Sequence, residues 1–301
     1  MKKSSPPFST DCETMREDSR MAPAPVYPRR WVKRALVAAV VIVFAMAATV
    51  IVFTPVETAS KVRVAIIDGG IDPTYPALNK ANIDVRLVPG APSRVSEHGS
   101  AMAAIMVESA SAKPSTRSPT IEIVDVPALD ASGVGEVEDL ATGITTATQQ
   151  DVDMIVAALG TEMDAPELKE AVRQAQNDGV TIFSAAGNGI GDFASYPAQY
   201  EEVISVGALD KSGHRLRFTN TRATNLLASG EEIHVESPGG ATQSYSGTSP
   251  ATAIAAGKVA ACWQLIAPHT LDQTRRNTPV DQAIKEAIEE QGKDPRECKS
   301  L

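Results

Sequence analysis

No C-x-x-C pair occurs among the three cysteines, Cys12, Cys262 and Cys298, which removes the common metal-ribbon and dithiol motifs. The chain also lacks an internal repeat and any long low-complexity tract. Its 301 residues, 43% of them hydrophobic, are therefore expected to bury one sizeable core with appendages. Positive charge is scarce where a nucleic-acid binder would carry it: residues 55–301 hold 20 Lys/Arg against 33 Asp/Glu, while residues 1–54 hold eight against four. A domain that acidic is a poor phosphate binder, so nucleic acid is disfavoured as a partner.

Charge is missing altogether from Ala35 to Phe53, a run of 19 residues long enough to span a bilayer as a helix. Arg29, Arg30, Lys33 and Arg34 crowd its leading side, whereas Glu57, Lys61 and Arg63 follow it. The positive-inside rule then places the N-terminus in the cytoplasm and the remainder outside the cell membrane. Ala45-Met46-Ala47 has the small-x-small pattern of a cleavage site, but the apolar run continues past it, so an uncleaved single-pass anchor is expected. Residues 1–34, rich in Pro, Ser and charge and without an apolar period, are expected to be a disordered cytoplasmic segment. Residues 54–60 remain as a tether that reaches about 25 Å when extended. The domain over 61–301 is thus expected to sit against the membrane.

From Lys61 onward the pattern alternates. Val62–Ile67, Ile121–Pro127, Val152–Ala158, Val180–Ala185 and Val203–Val206 read as strands; His98–Val107, Gly135–Gln149 and Ala165–Asn177 read as helices. Strict alternation predicts an α/β fold of three layers, a mostly parallel sheet with helices on both faces. Ligands in such sheets bind off the carboxyl ends of the strands. That rule gathers Asp68, Gly160 and Asn188 at strand ends, with His98 and Ser249 at helix starts. Ser249, followed by Pro250 and the Ala-rich run to Gly257, is expected to be an N-cap, because Pro disfavours helical geometry in the residue before it.

The segments V-A-I-I-D-G-G-I-D, E-H-G-S-A-M-A-A, S-A-A-G-N and S-Y-S-G-T-S-P-A-T-A, in that order, resemble the subtilisin-like serine proteases. The four marked residues, Asp68, His98, Asn188 and Ser249, lie 30, 90 and 61 positions apart, near the family's separations. The resemblance covers about Val62 to Ala267. It implies a serine endopeptidase acting on polypeptides, with Ser249 as nucleophile, His98 as general base and acid, and Asp68 orienting the imidazole. It also implies an oxyanion hole from the Asn188 amide and the Ser249 N–H. Backbone over Ala158, Leu159 and Gly160, and over Ala185, Ala186 and Gly187, would take an extended peptide as an added strand.

Departures from the family pattern accompany the match. Gly69 supplies no hydroxyl after Asp68, Ser100 and Ala101 replace Thr and His after His98, Pro250 follows Ser249, and Ala253 stands where Pro is usual. These keep a second reading open, a weak or inactive relative that binds peptides as a scaffold. An esterase is disfavoured, since the G-x-S-x-G elbow is absent. No folded inhibitory propeptide fits between Phe53 and Lys61. The stretch Glu108–Thr120 has no carboxylate or Asn cluster of the kind calcium requires, so no tight metal site is expected there, and no cofactor is expected.

Single residues have plainer readings. Asp72 is expected to be a turn residue, Asp192 a solvated loop carboxylate, and His214, His234 and His269 surface residues. Cys262 reads as a small buried hydrophobe, with a Cys262–Cys298 disulfide permitted by the outward location. Pro279–Gln291 is amphipathic and is expected to pack under the domain.

Overall fold

The computed structural model describes residues 61–80, 82–111, 120–130, 132–189, 194–219, 224–266, 278–293, 295 and 298. The expected cytoplasmic segment, anchor and tether lie outside these residues, as do Asp192 and His269. Among the described residues no helix is long and apolar enough to cross a membrane.

Among the described residues, ten strands and five α-helices follow one another as β1 (Lys61–Asp68), β2 (Ile83–Leu87), α1 (Glu97–Ala110), β3 (Thr120–Pro127), α2 (Val137–Thr148), β4 (Met154–Ala157), α3 (Pro166–Asn177), β5 (Thr181–Ala185), β6 (Val203–Leu209), β7 (Leu226–Ser229), β8 (Ile233–Glu236), β9 (Thr242–Tyr245), α4 (Thr248–Ala261), β10 (Thr278–Pro279) and α5 (Val280–Glu290). Eight strands form one sheet in the order β10-β7-β6-β5-β4-β1-β3-β2, every pairing in it parallel. The other two, β8 and β9, form an antiparallel hairpin that leads into α4.

The central strands are apolar on both sides because both sides are covered. Val62, Val64 and Ile66 of β1 join one cluster with α1, α4 and α5, while Ala65 and Ile67 join the other with α2 and α3. Each large side chain fully buried this way, such as Phe183, Met102 or Ile155, stabilises the fold by about 1.5–3 kcal/mol. The three-layer α/β expectation is met. Sequence periodicity passed over β2, β7, β10 and the hairpin, which are too short or too mixed in polarity to carry a period.

The amphipathic segment after Thr278 forms α5, whose Val280, Ala283, Ile284, Ala287 and Ile288 are all buried in the first cluster. Cys262, just past α4, is buried and joined to Cys298 in a disulfide with Cα atoms 5.3 Å apart. That bridge ties the last described residue back to the core, and closing a loop of this length contributes about 2–4 kcal/mol.

The sheet order changes direction at β1. The chain places β2 and β3 on one side of it and β4 onward on the other. The crevice at such a reversal, off the carboxyl ends of β1 and β4, is where this architecture leaves room for a ligand.

Candidate active site

Asp68 is the last residue of β1 and is almost wholly buried. A buried carboxylate must be matched by donors. Its Oδ1 accepts from the Gly69 N–H at 2.7 Å and from the Ser96 hydroxyl at 3.1 Å, and its Oδ2 lies 2.7 Å from His98 Nδ1. His98 is the second residue of α1, which starts where Ser96 accepts the Gly99 N–H at 2.9 Å as N-cap. With Nδ1–H committed to Asp68, Nε2 is left as the basic nitrogen. Burial by itself pushes the imidazole pKa down, but the hydrogen bond to Asp68 and its negative charge outweigh that and raise it above 6.5.

Ser249 belongs to the opposite wall. It is not the N-cap: α4 begins at Thr248, with Gly247 as N-cap at φ 140° and ψ -172°. That positive φ suits glycine, and it turns the chain into the helix two residues before the serine. Pro250 then falls in the first turn, where no intrahelical N–H is required of it, so its usual effect on the preceding residue is overridden. Ser249 keeps a backbone N–H in the unpaired first turn, and its Oγ donates to the Ala158 carbonyl at 2.7 Å.

Asn188 follows β5 and is held by the residue before the serine. Its Oδ1 accepts from the Thr248 N–H at 2.9 Å and the Thr248 hydroxyl at 3.1 Å, while the same hydroxyl accepts the Gly187 N–H at 3.2 Å. With Oδ1 occupied, the Asn188 amide keeps its Nδ2 donors, which lie beside Gly247. Ala158 to Gly160 continue from the end of β4, and Ala185 to Gly187 from the end of β5. The backbone segments expected to line a cleft therefore lie on the same sheet edge.

The two walls meet through their helices. Gly257 of α4 packs against Met106 and Ser109 of α1, and both helices start at the carboxyl edge of the sheet, so they run parallel. His98 stands eight residues before Met106, and Ser249 stands eight before Gly257. At 1.5 Å per residue each is about 12 Å along its helix from Met106 or Gly257. The Tyr245 hydroxyl, hydrogen-bonded to Glu97 Oε1 at 3.2 Å, ties the entry of α4 to the head of α1. Asp68 and His98 are thus joined directly, as are Ser249 and Ala158. Among the described residues no hydrogen bond joins His98 to Ser249 in this conformation.

The remaining candidates stand apart. Asp72 closes a turn by accepting the Thr74 N–H and hydroxyl, and His214 and His234 are exposed. Among the described residues no three His, Cys, Asp or Glu side chains are grouped to hold a metal ion. Three site residues were not singled out in the sequence: Thr248, Ser96, and Asp125 on β3, a buried carboxyl on the same sheet face as Asp68. The hydroxyl between Gly247 and Ser249 was a visible signal for the first. The other two carry none, because their partners are distant in the chain.

A parallel sheet wound this way, with an Asp–His pair at the head of α1 and a serine in the first turn of the helix packed against it, is the arrangement of the subtilisin-like serine proteases. The chain belongs to the subtilase family, whose model matches residues 59–296. It is 34% identical over 218 residues to "Intracellular serine protease" of Paenibacillus polymyxa, covering 68% of this chain and 67% of that protein. It is 33% identical over 212 residues to "Subtilisin E" of Bacillus subtilis (strain 168), covering 67% of this chain and 55% of that one. The chain therefore spans from just over half to two thirds of these curated relatives' length. Among solved structures it is similar to the self-cleaved protease domain of PatA, with a TM-score of 0.60 and 28% identity over 77% of this chain and 97% of that one. It is also similar to the prenylagaramide maturation protease PagA, with a TM-score of 0.56 and 25% identity over 78% of each.

Proposed function

We propose that this chain is a serine endopeptidase anchored by residues 35–53 at the outer face of a cell membrane, cutting extended polypeptides near that surface. Ser249 Oγ attacks the peptide carbonyl and His98 Nε2 accepts its proton. Asp68 holds the imidazole in the required tautomer and stabilises the imidazolium. The Asn188 Nδ2 and the Ser249 N–H receive the negative charge that develops on the carbonyl oxygen, in a first helical turn whose dipole favours it. The imidazolium then gives its proton to the leaving amine, and water repeats the sequence on the acyl-enzyme. Residues 158–160 and 185–187 flank the acyl half of the substrate as neighbouring strands.

One observation carries the reading: the 2.7 Å Asp68–His98 contact at the head of a helix packed against the one that bears Ser249. The Cys262–Cys298 disulfide supports an oxidising compartment and hence the outward placement. A phosphonate probe for serine hydrolases is expected to label the wild-type protein and not Ser249→Ala. Folded protein that takes no label would remove the assignment. Release of the domain from its anchor is expected to lower cleavage of membrane-proximal substrates while sparing a soluble peptide.

A second reading has its own observation. The Ser249 hydroxyl is turned to the Ala158 carbonyl at 2.7 Å instead of to His98, as suits a resting or silent relative that binds peptides without cutting them. Active-site titration separates the two: a stoichiometric burst of acylation supports the enzyme, and peptide binding unchanged by Ser249→Ala supports the scaffold.

A further inference from the structure

Two hydroxyl-sized positions flank the Asp68 carboxylate, and the chain fills only one of them with a hydroxyl. The position next in sequence is Gly69, which contributes its backbone N–H alone. The other is Ser96, 28 residues away, at the N-cap of α1. Its Oγ accepts from the Gly99 N–H at 2.9 Å and has one proton to give. The nearer acceptor is Asp68 Oδ1 at 3.1 Å; the Gly70 carbonyl stands off at 3.4 Å.

These two positions exclude one another. A Cβ on residue 69 would stand 2.7 Å from the Ser96 Cβ and 2.9 Å from its Oγ, closer than carbon atoms approach in proteins. Gly69 is therefore the residue that makes room for Ser96. The hydroxyl whose absence after Asp68 marks a departure from the family pattern is supplied across space from the helix that carries His98.

We propose that Ser96 is a positioning residue for the reaction. By donating to Asp68 Oδ1 while capping α1, it locks the carboxylate with Oδ2 toward His98 Nδ1, and couples that orientation to the helix on which His98 rides. The inference rests on the proposed peptidase reading, and it extends that reading to a residue two positions before the base. Three donors then bracket the carboxylate: the Gly69 N–H and Ser96 O–H on Oδ1, and the His98 N–H on Oδ2. Loss of the middle one frees the carboxylate to rotate about its Cβ–Cγ bond.

The test compares wild type, Ser96→Gly and the double variant Gly69→Ser with Ser96→Gly, on a soluble peptide substrate. Glycine is a fair N-cap, so the single variant keeps α1 while removing the hydroxyl. Thermal melting is followed in parallel to confirm folding. The expected result for Ser96→Gly is a fall in kcat of roughly tenfold to a hundredfold, the worth of a hydrogen bond to a charged group, with KM within about twofold of wild type. The double variant, which moves the hydroxyl to the vacated place beside Asp68, is expected to recover most of that kcat. A single variant with wild-type kcat overturns the proposal. So does a double variant that melts like the single one yet recovers nothing.

A second readout does not need turnover. In Ser249→Ala protein, the downfield proton resonance of His98 Nδ1–H reports its bond to Asp68, and adding Ser96→Gly is expected to broaden it or move it upfield. No change there also overturns the proposal. If the wild type hydrolyses nothing but this resonance responds as expected, the peptidase reading falls while the role of Ser96 in holding Asp68 stands.

Discussion

Gly257 on α4 faces the Met106 carbonyl of α1 with no space for a side chain between them. A Cβ added there would lie 3.0 Å from the Met106 carbonyl carbon and from Ser109 Cβ, and nearer still to the carbonyl oxygen. Because the nearest of these, the Met106 carbonyl, is backbone, a side chain at 257 is accommodated only by parting the helices. Gly257→Ala is expected to destabilise the protein by about 1–3 kcal/mol, as overpacking does, read as a lower melting temperature. The same separation pulls the heads of the helices apart, so kcat is expected to fall while Asp68 and His98 stay paired. A variant that melts and turns over like wild type would show that the two helices do not set the spacing of His98 and Ser249.

The buried carboxylate of Glu122 on β3 is ringed by Lys61, Arg63 and Arg86, the first two from β1 and the third from β2. Burial alone would raise its pKa. The hydrogen bonds from Lys61 and Arg86 and the charges of Lys61 and Arg63 reverse that and hold it to about 2, against an ordinary 4.5. A depressed folded-state pKa means stability that is present above pH 4.5 and is lost as pH falls toward 2. The cations are partly exposed, so Glu122→Gln is expected to cost about 2 kcal/mol at pH 7 rather than the full value of a dry ion pair. Melting curves of the two proteins should converge as pH drops through that window, and a constant gap would show that charge is not the cause.

Much of this architecture was legible in the chain, and the failures have physical reasons. β1, α1 and α3 carry long apolar patterns, and Asp68 and Asn188 sit at or just past strand ends while His98 opens a helix, so the topology places all three on one edge of the sheet. The N-cap of α4 falls at Gly247, two residues before the expected Ser249, because the positive φ that Gly247 adopts turns the chain into the helix earlier than Pro250 alone implies. Strands of two to five residues such as β10, β7 and β2 have too few positions to display a period. Ser96 and Asp125 stayed silent because their roles depend on partners 28 and 54 residues away, Asp68 and Ile71, brought near only by the finished sheet.

The raised pKa of His98 sets a direction for the pH profile. The base works when neutral, so the acid limb of kcat/KM is expected to have its midpoint above 6.5. Asp68→Asn removes the hydrogen bond and the charge that raise it, leaving burial unopposed. The limb is then expected to move to lower pH while kcat falls by orders of magnitude, because the imidazole loses both its orientation and its counter-charge. A limb that stays in place in this variant would mean that some group other than His98 is titrating.

Asp125 lies on β3, paired in register with Ile66 and facing the same side of the sheet as Asp68. Its Oδ2 accepts the Ile71 N–H at 3.0 Å, and its Oδ1 is buried with no hydrogen-bond partner among the described residues. Burial raises its pKa, the Ile71 hydrogen bond opposes the rise, and the nearby charge of Asp68 adds to it, with a result of about 6 against an ordinary 3.8. Between those values the folded protein holds a proton that the unfolded chain has released. Stability therefore falls as pH rises through the window, and the penalty stands in full above pH 6. Asn imitates the protonated carboxyl, keeps an acceptor for Ile71 and does not ionise. Asp125→Asn is expected to gain roughly 2–3 kcal/mol over wild type at pH 8 and nothing at pH 4, read from denaturant midpoints at the two pH values. Loss of stability at pH 8 would mean that the ionised Asp125 is paired with a cation and that its charge supports the fold.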